Sequence, residues 1–526
     1  MTTARVRFVV VRIAVIICAL VSACGASASP ARAQDAATVG RLERAAEHIR
    51  RGELGRAEEE LSAVLRTRPR EANALNLLGV VRARQKRDAE AEQLFLRATR
   101  ESPALVGAHV NLATLRLSRG DKDGALRDFT AAAALAPDNP DVNFQLAALL
   151  EERREYARAL AHLSKIPREL WALEHLHLAV SSHLGAGEKQ EAARLFAPVR
   201  DDPRLPPDDA ASFAALFAAH GETDAALEIL EAARRRAPDS FAVLYNLGAT
   251  HTRRGDLARA EEAFARALSA KPDDAATLSA LGRLWRARGD LEKSFAYLER
   301  ALKLAPDSPA LLYDYGWTAL NLDRIGEAVN ALERLHAARP RESAYVYTLA
   351  VARFYNNDDE RALALLRRYT ELQPSDPRGH YVAGVMLDLM KRTEEARAAL
   401  ARSFELGETA EAAYLLGRIA YDSDDLARAE QWLRRAVALD PRHAPARASL
   451  GMTHAKRKEF AAARAELERA VELDPQDLTA AYQLALVYTR TGEAARAREM
   501  HAAADRLRAE QRHRPREGLR LAEPPR

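Results

Sequence analysis

Apolar side chains recur along the chain in a fixed order with a period of about 34 residues. Each period opens at a proline. A glycine or alanine follows ten positions later, a second small residue twelve positions after that, and a large apolar residue four positions further on. The prolines that mark the period are Pro69, Pro103, Pro137, Pro238, Pro272, Pro306, Pro340, Pro374, Pro441 and Pro475. The two wider gaps in this series hold two and three periods, so the repeat runs through most of the chain.

The small residues predict two helices packed against each other in every period. Small side chains on facing helices let the backbones approach closely, and the large residue, such as Phe264, fills the space beside them. Between the two helices, Gly255-Asp256 is typical of the turn, because glycine takes the left-handed conformation that ends one helix and aspartate suits the start of the next. The glycines of the first helix are Gly79, Gly248, Gly282, Gly316, Gly384, Gly417 and Gly451. The alanines of the second helix are Ala91, Ala125, Ala159, Ala260, Ala328, Ala362, Ala396, Ala429, Ala463 and Ala497.

This pattern resembles the tetratricopeptide repeat. Residues 238–271 carry it most completely, with Tyr245-Asn246-Leu247-Gly248, Gly255-Asp256, Ala260, Phe264 and Ala267 before Pro272. The resemblance covers about residues 35–508 and implies an all-α, right-handed superhelical solenoid of about fourteen helix-turn-helix units. A coiled coil is excluded, because turns recur at every half-period.

The regularity of the repeat divides the chain. We expect an amino-terminal array at 35–169, a divergent repeat-like unit at 170–203, a carboxy-terminal array at 204–508 and a disordered tail at 509–526. The proline-rich passage 198–210 reads either as a hinge between the arrays or as a longer loop in one continuous array.

The first residues have the pattern of an export signal. Three arginines precede the apolar run Ile13–Val21, which is too short to span a bilayer. Val21-Ser22-Ala23-Cys24 resembles the lipobox of bacterial lipoproteins, so a signal peptide at 1–23 and lipidation of Cys24 are one expectation. Cleavage after Ala28 or Ala33 would instead release a soluble protein.

Composition narrows the class of function. Of 526 residues, 48% are hydrophobic and 29% charged, and the net charge of +4 falls almost to zero once Arg5, Arg7 and Arg12 of the leader are removed. Bulk charge therefore gives no support to a nucleic-acid partner. Both cysteines lie in the leader region, so the remaining chain has no disulfide and no thiol nucleophile.

No constellation of catalytic or metal-binding residues is evident. His175, His177 and His183 are spaced by two and six residues and do not share one helical face. Gly185 to Lys189 lacks the spacing of a phosphate-binding loop, and the acidic turns at 356–360 and 422–425 lack the ligand order of a calcium loop. We therefore expect no enzymatic activity, no metal and no cofactor.

If the first helices line the concave face, as the resemblance implies, aromatic side chains follow one another along it. Seven residues after the proline a tyrosine is frequent, and further large side chains stand four and seven positions beyond it on the same helical face. Such rings suit extended peptides, although part of each could pack against the next repeat instead. The candidate contacts are Tyr245, Tyr313, Trp317, Tyr347, Phe354, Tyr381, Tyr414, Arg418, Tyr421 and Tyr482.

These observations indicate an exported, non-catalytic scaffold that binds protein or peptide partners in a cell-envelope assembly. We expect a periplasmic location, with an outer-membrane lipoprotein as the anchored form. The alternative is a groove that binds an exported polysaccharide within a secretion system.

Overall fold

The computed structural model describes residues 30–200 and 202–511, with side chains for 35–200 and 202–509. The signal peptide, Cys24 and the cleavage site after Ala28 lie outside the described residues. The tail predicted to start at residue 509 begins differently, because the last helix continues to Gln511; the rest of the tail also lies outside.

The described residues form 28 α-helices and one short 3-10 helix, Arg168–Leu170, with no strand among them. The helices alternate along the chain as the first and second members of fourteen antiparallel pairs. The first helices are α1 (Pro30–Arg51), α3 (Ala72–Arg84), α5 (Val106–Ser118), α7 (Pro140–Glu152), α9 (Leu173–Gly185), α11 (Pro207–Ala219), α13 (Phe241–Arg254), α15 (Ala275–Ala287), α17 (Pro309–Asn321), α19 (Ser343–Tyr355), α21 (Pro377–Leu389), α23 (Ala410–Asp422), α25 (Ala444–Lys456) and α27 (Leu478–Thr491).

The second helices complete the pairs. They are α2 (Leu54–Thr67), α4 (Asp88–Glu101), α6 (Lys122–Leu135), α8 (Tyr156–Leu163), α10 (Lys189–Arg200), α12 (Thr223–Arg236), α14 (Leu257–Ala270), α16 (Leu291–Leu304), α18 (Ile325–Ala338), α20 (Asp359–Leu372), α22 (Thr393–Leu406), α24 (Leu426–Leu439), α26 (Phe460–Leu473) and α28 (Ala494–Gln511). The predicted all-α repeat of helix-turn-helix pairs is thus confirmed. None of the helices described is both long and apolar enough to cross a membrane.

Seven pairs close around a glycine of the first helix and a large residue of the second. At Gly79 the neighbour is Phe95, and at Gly282 it is Leu298; a Cβ atom built on either glycine would lie 2.6 Å from that side chain. The same relationship holds for Gly248, Gly316, Gly384, Gly417 and Gly451. The alanines of the second-helix set are all buried. A larger residue at the glycine positions would therefore push the two helices apart.

The turn within each pair places one residue in the left-handed region. Glycine takes this place in seven turns, including Gly120 (φ 84°) and Gly255 (φ 82°). Seven other turns hold a residue with a side chain there, such as Lys86 (φ 63°), Arg154 (φ 63°) and Asn357 (φ 57°). These residues carry backbone strain that glycine would not.

At three places, consecutive pairs are joined by a hydrogen bond from an arginine of the second helix to the carbonyl oxygen of a proline 28 residues earlier. Arg97 donates to Pro69 at 3.3 Å, Arg266 to Pro238 at 3.0 Å, and Arg334 to Pro306 at 2.8 Å. The proline that ends one pair is thereby fixed to the second helix of the next.

The chain divides into two compact units, Met1–Ala270 and Lys271–Arg526. The boundary expected at 203/204 lies inside the first unit, where one hydrophobic cluster runs from Leu176 in α9 to Ala263 in α14 and includes Leu205. The divergent segment 170–203 forms the helix pair α9 and α10, and Pro198 lies inside α10. The hinge between two arrays stays a prediction.

Within each unit, first helices of several consecutive pairs contact one another directly. Examples are α1 with α3 and α9 with α11 in the first unit, and α17 with α19 and α23 with α25 in the second. No two consecutive second helices in the described part of the chain touch as extensively. The first helices therefore form the more closely spaced, inner side of each unit, and we call the surface they present there the first-helix face.

Candidate functional site

The first-helix face of the second unit combines partly exposed rings with exposed aliphatic side chains. Trp317 on α17 and Phe354 on α19 are partly exposed. Leu389, the last residue of α21, is 46% exposed, and Tyr482 and Leu486 on α27 are also exposed. Leu389 and Leu486 were not predicted as contacts. Leu486 could have been found from the sequence, since it follows Tyr482 by four residues as Trp317 follows Tyr313.

Two arginines of α15 meet one buried carboxylate of α17. Arg286 Nη1 lies 2.9 Å from Asp314 Oδ1, and Arg283 Nη1 lies 3.3 Å from Asp314 Oδ2. The guanidinium of Arg286 also lies over the ring of Trp317, 5.1 Å from its centroid. Asp314 is only 6% exposed, whereas the side chains of Arg283 and Arg286 are 47% and 28% exposed. The buried carboxylate is thus held by charge-assisted hydrogen bonds from two guanidinium groups that reach solvent.

Tyr313 is partly buried between neighbouring first helices. Its ring centroid lies 5.4 Å from that of Tyr345 on α19. Burial raises the pKa of its hydroxyl, and a hydrogen bond with Thr348 opposes that shift. The ring therefore joins two helix pairs and leaves only part of its surface to a ligand.

Tyr347 was expected on this face, and that expectation was wrong. Its side chain is 1% exposed, and its ring lies 5.2 Å from that of Tyr369 on α20. Tyr369 in turn donates a hydrogen bond of 2.7 Å to Asp376, which also accepts from Arg378. Burial raises the pKa of Tyr347 to about 12. Tyr347 is thus a core residue, packed against Tyr369 of the second helix.

Further along the face, the candidate residues make contacts between pairs. Arg418 of α23 pairs with Asp388 of α21. The ring of Tyr414 lies 5.1 Å from His443. Lys456 Nζ lies 4.1 Å from the ring centroid of Tyr421 and 3.1 Å from Asp424. Tyr381 is partly buried.

In the first unit, Tyr245 is turned toward its own pair, with its ring centroid 5.8 Å from Phe264 and 6.1 Å from Phe241. Polar contacts instead link the first helices of this unit. Asn111 Nδ2 donates to Asn76 Oδ1 at 2.9 Å, and Ser181 donates to Glu151 at 2.6 Å. Side-chain hydrogen bonds therefore join consecutive first helices in this unit.

The three histidines of the divergent segment do not converge. His175 Nδ1 accepts from the backbone N–H of Ala172, His177 Nε2 lies 3.1 Å from the hydroxyl of Ser212, and His183 pairs with Glu188. Burial lowers the pKa of His177 to about 4. Across the described side chains, no three His, Cys, Asp or Glu residues come together as metal ligands.

Two protein-family profiles match the chain, and both have the same description. A profile described as tetratricopeptide repeat matches residues 116–170, 217–284 and 286–352, and a second profile with this description matches 42–105, 387–444 and 449–511. Together these ranges cover more than half of the chain. The comparison with curated protein sequences gave no match.

Solved structures of the same architecture are similar at low identity. One is described as the APC/C hetero-tetramer Cut9-Hcn1, with 15% identity, a TM-score of 0.40, and coverage of 83% of this chain and 93% of that chain. Another is yeast Tom70, with 16% identity, a TM-score of 0.34, and coverage of 85% and 97%. A third is YrrB, described as a TPR protein with an unusual peptide-binding site, with 24% identity, a TM-score of 0.31, and coverage of 35% and 96%. The likeness to these three structures is one of fold.

Proposed function

The chain belongs to the tetratricopeptide repeat family, and from that premise we propose that it is a non-catalytic scaffold that binds extended segments of partner proteins on the first-helix face of its second unit. Proteins of this family generally act as scaffolds for protein interactions. On this face, the residues described above offer apolar contact surface and ion pairs, and we propose that they bind and orient the partner segment.

The exposed apolar side chains of the first helices carry the proposal. Leu389 and Leu486 are exposed on first helices, and the rings of Trp317 and Phe354 are partly exposed on two other first helices. Burying apolar area is the main favourable term in protein association, and aromatic side chains are enriched where partners dock. A partner segment laid across these helices would cover them.

A polysaccharide ligand is the alternative, and the ring contacts favour it less. Sugars stack on ring faces, but three of the candidate rings already have cations beside them. Arg286 lies 5.1 Å from the centroid of Trp317, Lys456 lies 4.1 Å from that of Tyr421, and Arg508 lies 5.9 Å from that of Tyr482. One face of each ring is therefore shielded.

The test compares two leucines of nearly equal exposure. Leu389 is 46% exposed on a first helix, and Leu304 is 45% exposed at the end of a second helix. A library of random twelve-residue peptides would be selected on the purified full chain, and the binders measured by fluorescence anisotropy. We expect Leu389→Glu to weaken binding by about tenfold and Leu304→Glu to leave it unchanged. Equal affinities for both variants, or binding to a glycan array with no peptide selected, would overturn the proposal.

We propose in addition that the scaffold works in the cell envelope, as a lipoprotein anchored through Cys24. The supporting features are the arginine-led apolar leader, the lipobox-like Val21-Ser22-Ala23-Cys24 and the absence of cysteine beyond it. The test is fractionation of cells that express the chain and its Cys24→Ala variant. The wild type should sediment with membranes and the variant should not. A variant that stays with the membrane would refute the anchor.

A further inference from the structure

The proposed function does not say what kind of segment binds. Resting on that function, we propose that the segment presents a carboxylate side chain next to apolar ones, and that Arg283 and Arg286 receive the carboxylate beside Trp317. The partner is thus an acidic, apolar stretch of protein.

The two guanidinium groups are oriented in advance and retain free donors. Each oxygen of Asp314 is contacted by one arginine, at 2.9 Å and 3.3 Å. A guanidinium has five N–H donors, so a single contact each leaves most of them available. Because the buried Asp314 holds both groups in place, little side-chain freedom is lost when a second carboxylate binds.

The charge around this site is unbalanced. Helices α15, α17 and α19 together contain one acidic residue, Asp314, and three arginines, Arg283, Arg286 and Arg353. Arg353 forms salt bridges with Glu333 of α18 and with Asp358, which immediately precedes α20. The remaining two cations share one anion, so the first-helix face has an excess positive charge there. A carboxylate from a partner would neutralise this charge.

Apolar surface adjoins this charge directly. Arg286 lies over one face of Trp317, and Leu320 follows on the same side of α17, one turn away and partly exposed. A ligand whose carboxylate reaches the arginines therefore places its neighbouring residues on Trp317 and Leu320. Apolar neighbours suit these positions and strongly charged ones do not.

Other occupants fit the charge less well. The chain's own residues 512–526 contain five arginines and two glutamates, so this segment would be repelled by the arginine pair. A nucleic acid is bound through several phosphates along a basic track. The first helices α17 and α19 offer no further cation on this face, since their only arginine is Arg353.

Three synthetic ten-residue peptides test the inference. They share the same leucine and phenylalanine positions and carry glutamate, glutamine or lysine at two central positions. Affinity for the full chain is measured by fluorescence anisotropy in low and high salt. We expect the glutamate peptide to bind about tenfold more tightly than the glutamine peptide, with the advantage reduced by salt.

Two variants test whether the preference for glutamate depends on Arg283. Arg283→Gln should remove most of the preference for glutamate and keep the fold, since Arg286 still pairs with Asp314. Arg300→Gln, an exposed position on the second helix α16, is the matched control and should leave the preference intact. Circular dichroism confirms that each variant remains helical.

The outcomes distinguish a failure of the acidic preference from a failure of the scaffold function. If all three peptides bind equally and Leu389→Glu weakens them all, the scaffold function stands and the acidic preference is overturned. If none binds while library peptides do, the preference is likewise overturned. If neither set binds, both proposals fail. Light scattering that shows a dimer dispersed by Arg283→Gln would assign the face to a second copy of the chain and overturn the inference.

Discussion

Gly248 and Phe264 stand so close that a Cβ atom on the glycine would lie 2.6 Å from Cδ1 of the ring. Nonbonded carbon atoms do not approach each other to this distance, so the ring occupies the place where a side chain would begin. The same relationship recurs in pairs from Gly79 to Gly451, and it fixes how tightly the two helices of a pair can pack.

Gly248→Ala should therefore destabilise the protein although alanine is the better helix former. Overpacking costs about 1–3 kcal/mol and the better helix propensity of alanine returns about 1 kcal/mol, so we expect a net loss of up to about 2 kcal/mol. Denaturant midpoints measure it. Gly326→Ala is the control, because no atom lies within 4 Å of a Cβ built there. Equal midpoints for the two variants would contradict the close packing.

Arg154→Gly should stabilise the protein. Arg154 has φ 63°, a strained conformation for a residue with a Cβ atom, at the place where other pairs have glycine. Relief of about 1–2 kcal/mol of strain exceeds the entropy cost of glycine in the unfolded chain, leaving a net gain of about 0.5–1 kcal/mol. The reciprocal variant, Gly120→Ala, should lose a similar amount in the same thermal melts. If both variants were more stable than the wild type, or both less stable, the turn conformation would not determine the change in stability.

Acid should weaken the packing around α9. Burial lowers the pKa of His177 to about 4 from 6.5. The unfolded chain therefore takes up a proton before the folded chain does as the pH falls. The stability contributed at neutral pH is lost between pH 6.5 and 4, by up to about 3 kcal/mol, and changes no further below that range.

His177→Asn should remove this pH dependence and keep a polar group near Ser212. Hydrogen exchange of the α9 amides at pH 7 and pH 5 measures it. The wild type should lose protection at the lower pH more than the variant does. Parallel losses in the two proteins would assign the acid sensitivity to other groups.

Trp317→Ala and Tyr347→Phe should differ in their effect on the selected peptides. Trp317 presents ring surface on the first-helix face, so its truncation should weaken binding by about tenfold. Tyr347 is enclosed against Tyr369, so loss of its hydroxyl should not change affinity. The anisotropy assay described above measures both. A comparable loss with Tyr347→Phe would place that residue back among the contacts.

The repeat could be read from the sequence because its packing is local. Gly282 and Leu298 are sixteen residues apart, and both recur at the same place in other periods. The individual site residues could not be read in this way. Tyr313 and Tyr347 have the same position in the repeat, yet one is partly exposed and the other enclosed, because the second helix packed beside Tyr347 supplies Tyr369. The pairing of Arg286 with Asp314 was equally hidden, since it depends on which side chains adjacent periods place opposite each other.

The hydrogen bonds from Arg97, Arg266 and Arg334 to prolines 28 residues earlier bear on how such a chain can lengthen over evolutionary time. Donor and acceptor fall within a stretch shorter than one period. A duplication of about 34 residues that starts just before the proline copies both partners together. The duplicated segment would therefore already encode the hydrogen bond that joins the new pair to its neighbour. Mutation could then alter its first-helix side chains, and with them the partners it recognises, without first having to restore the fold.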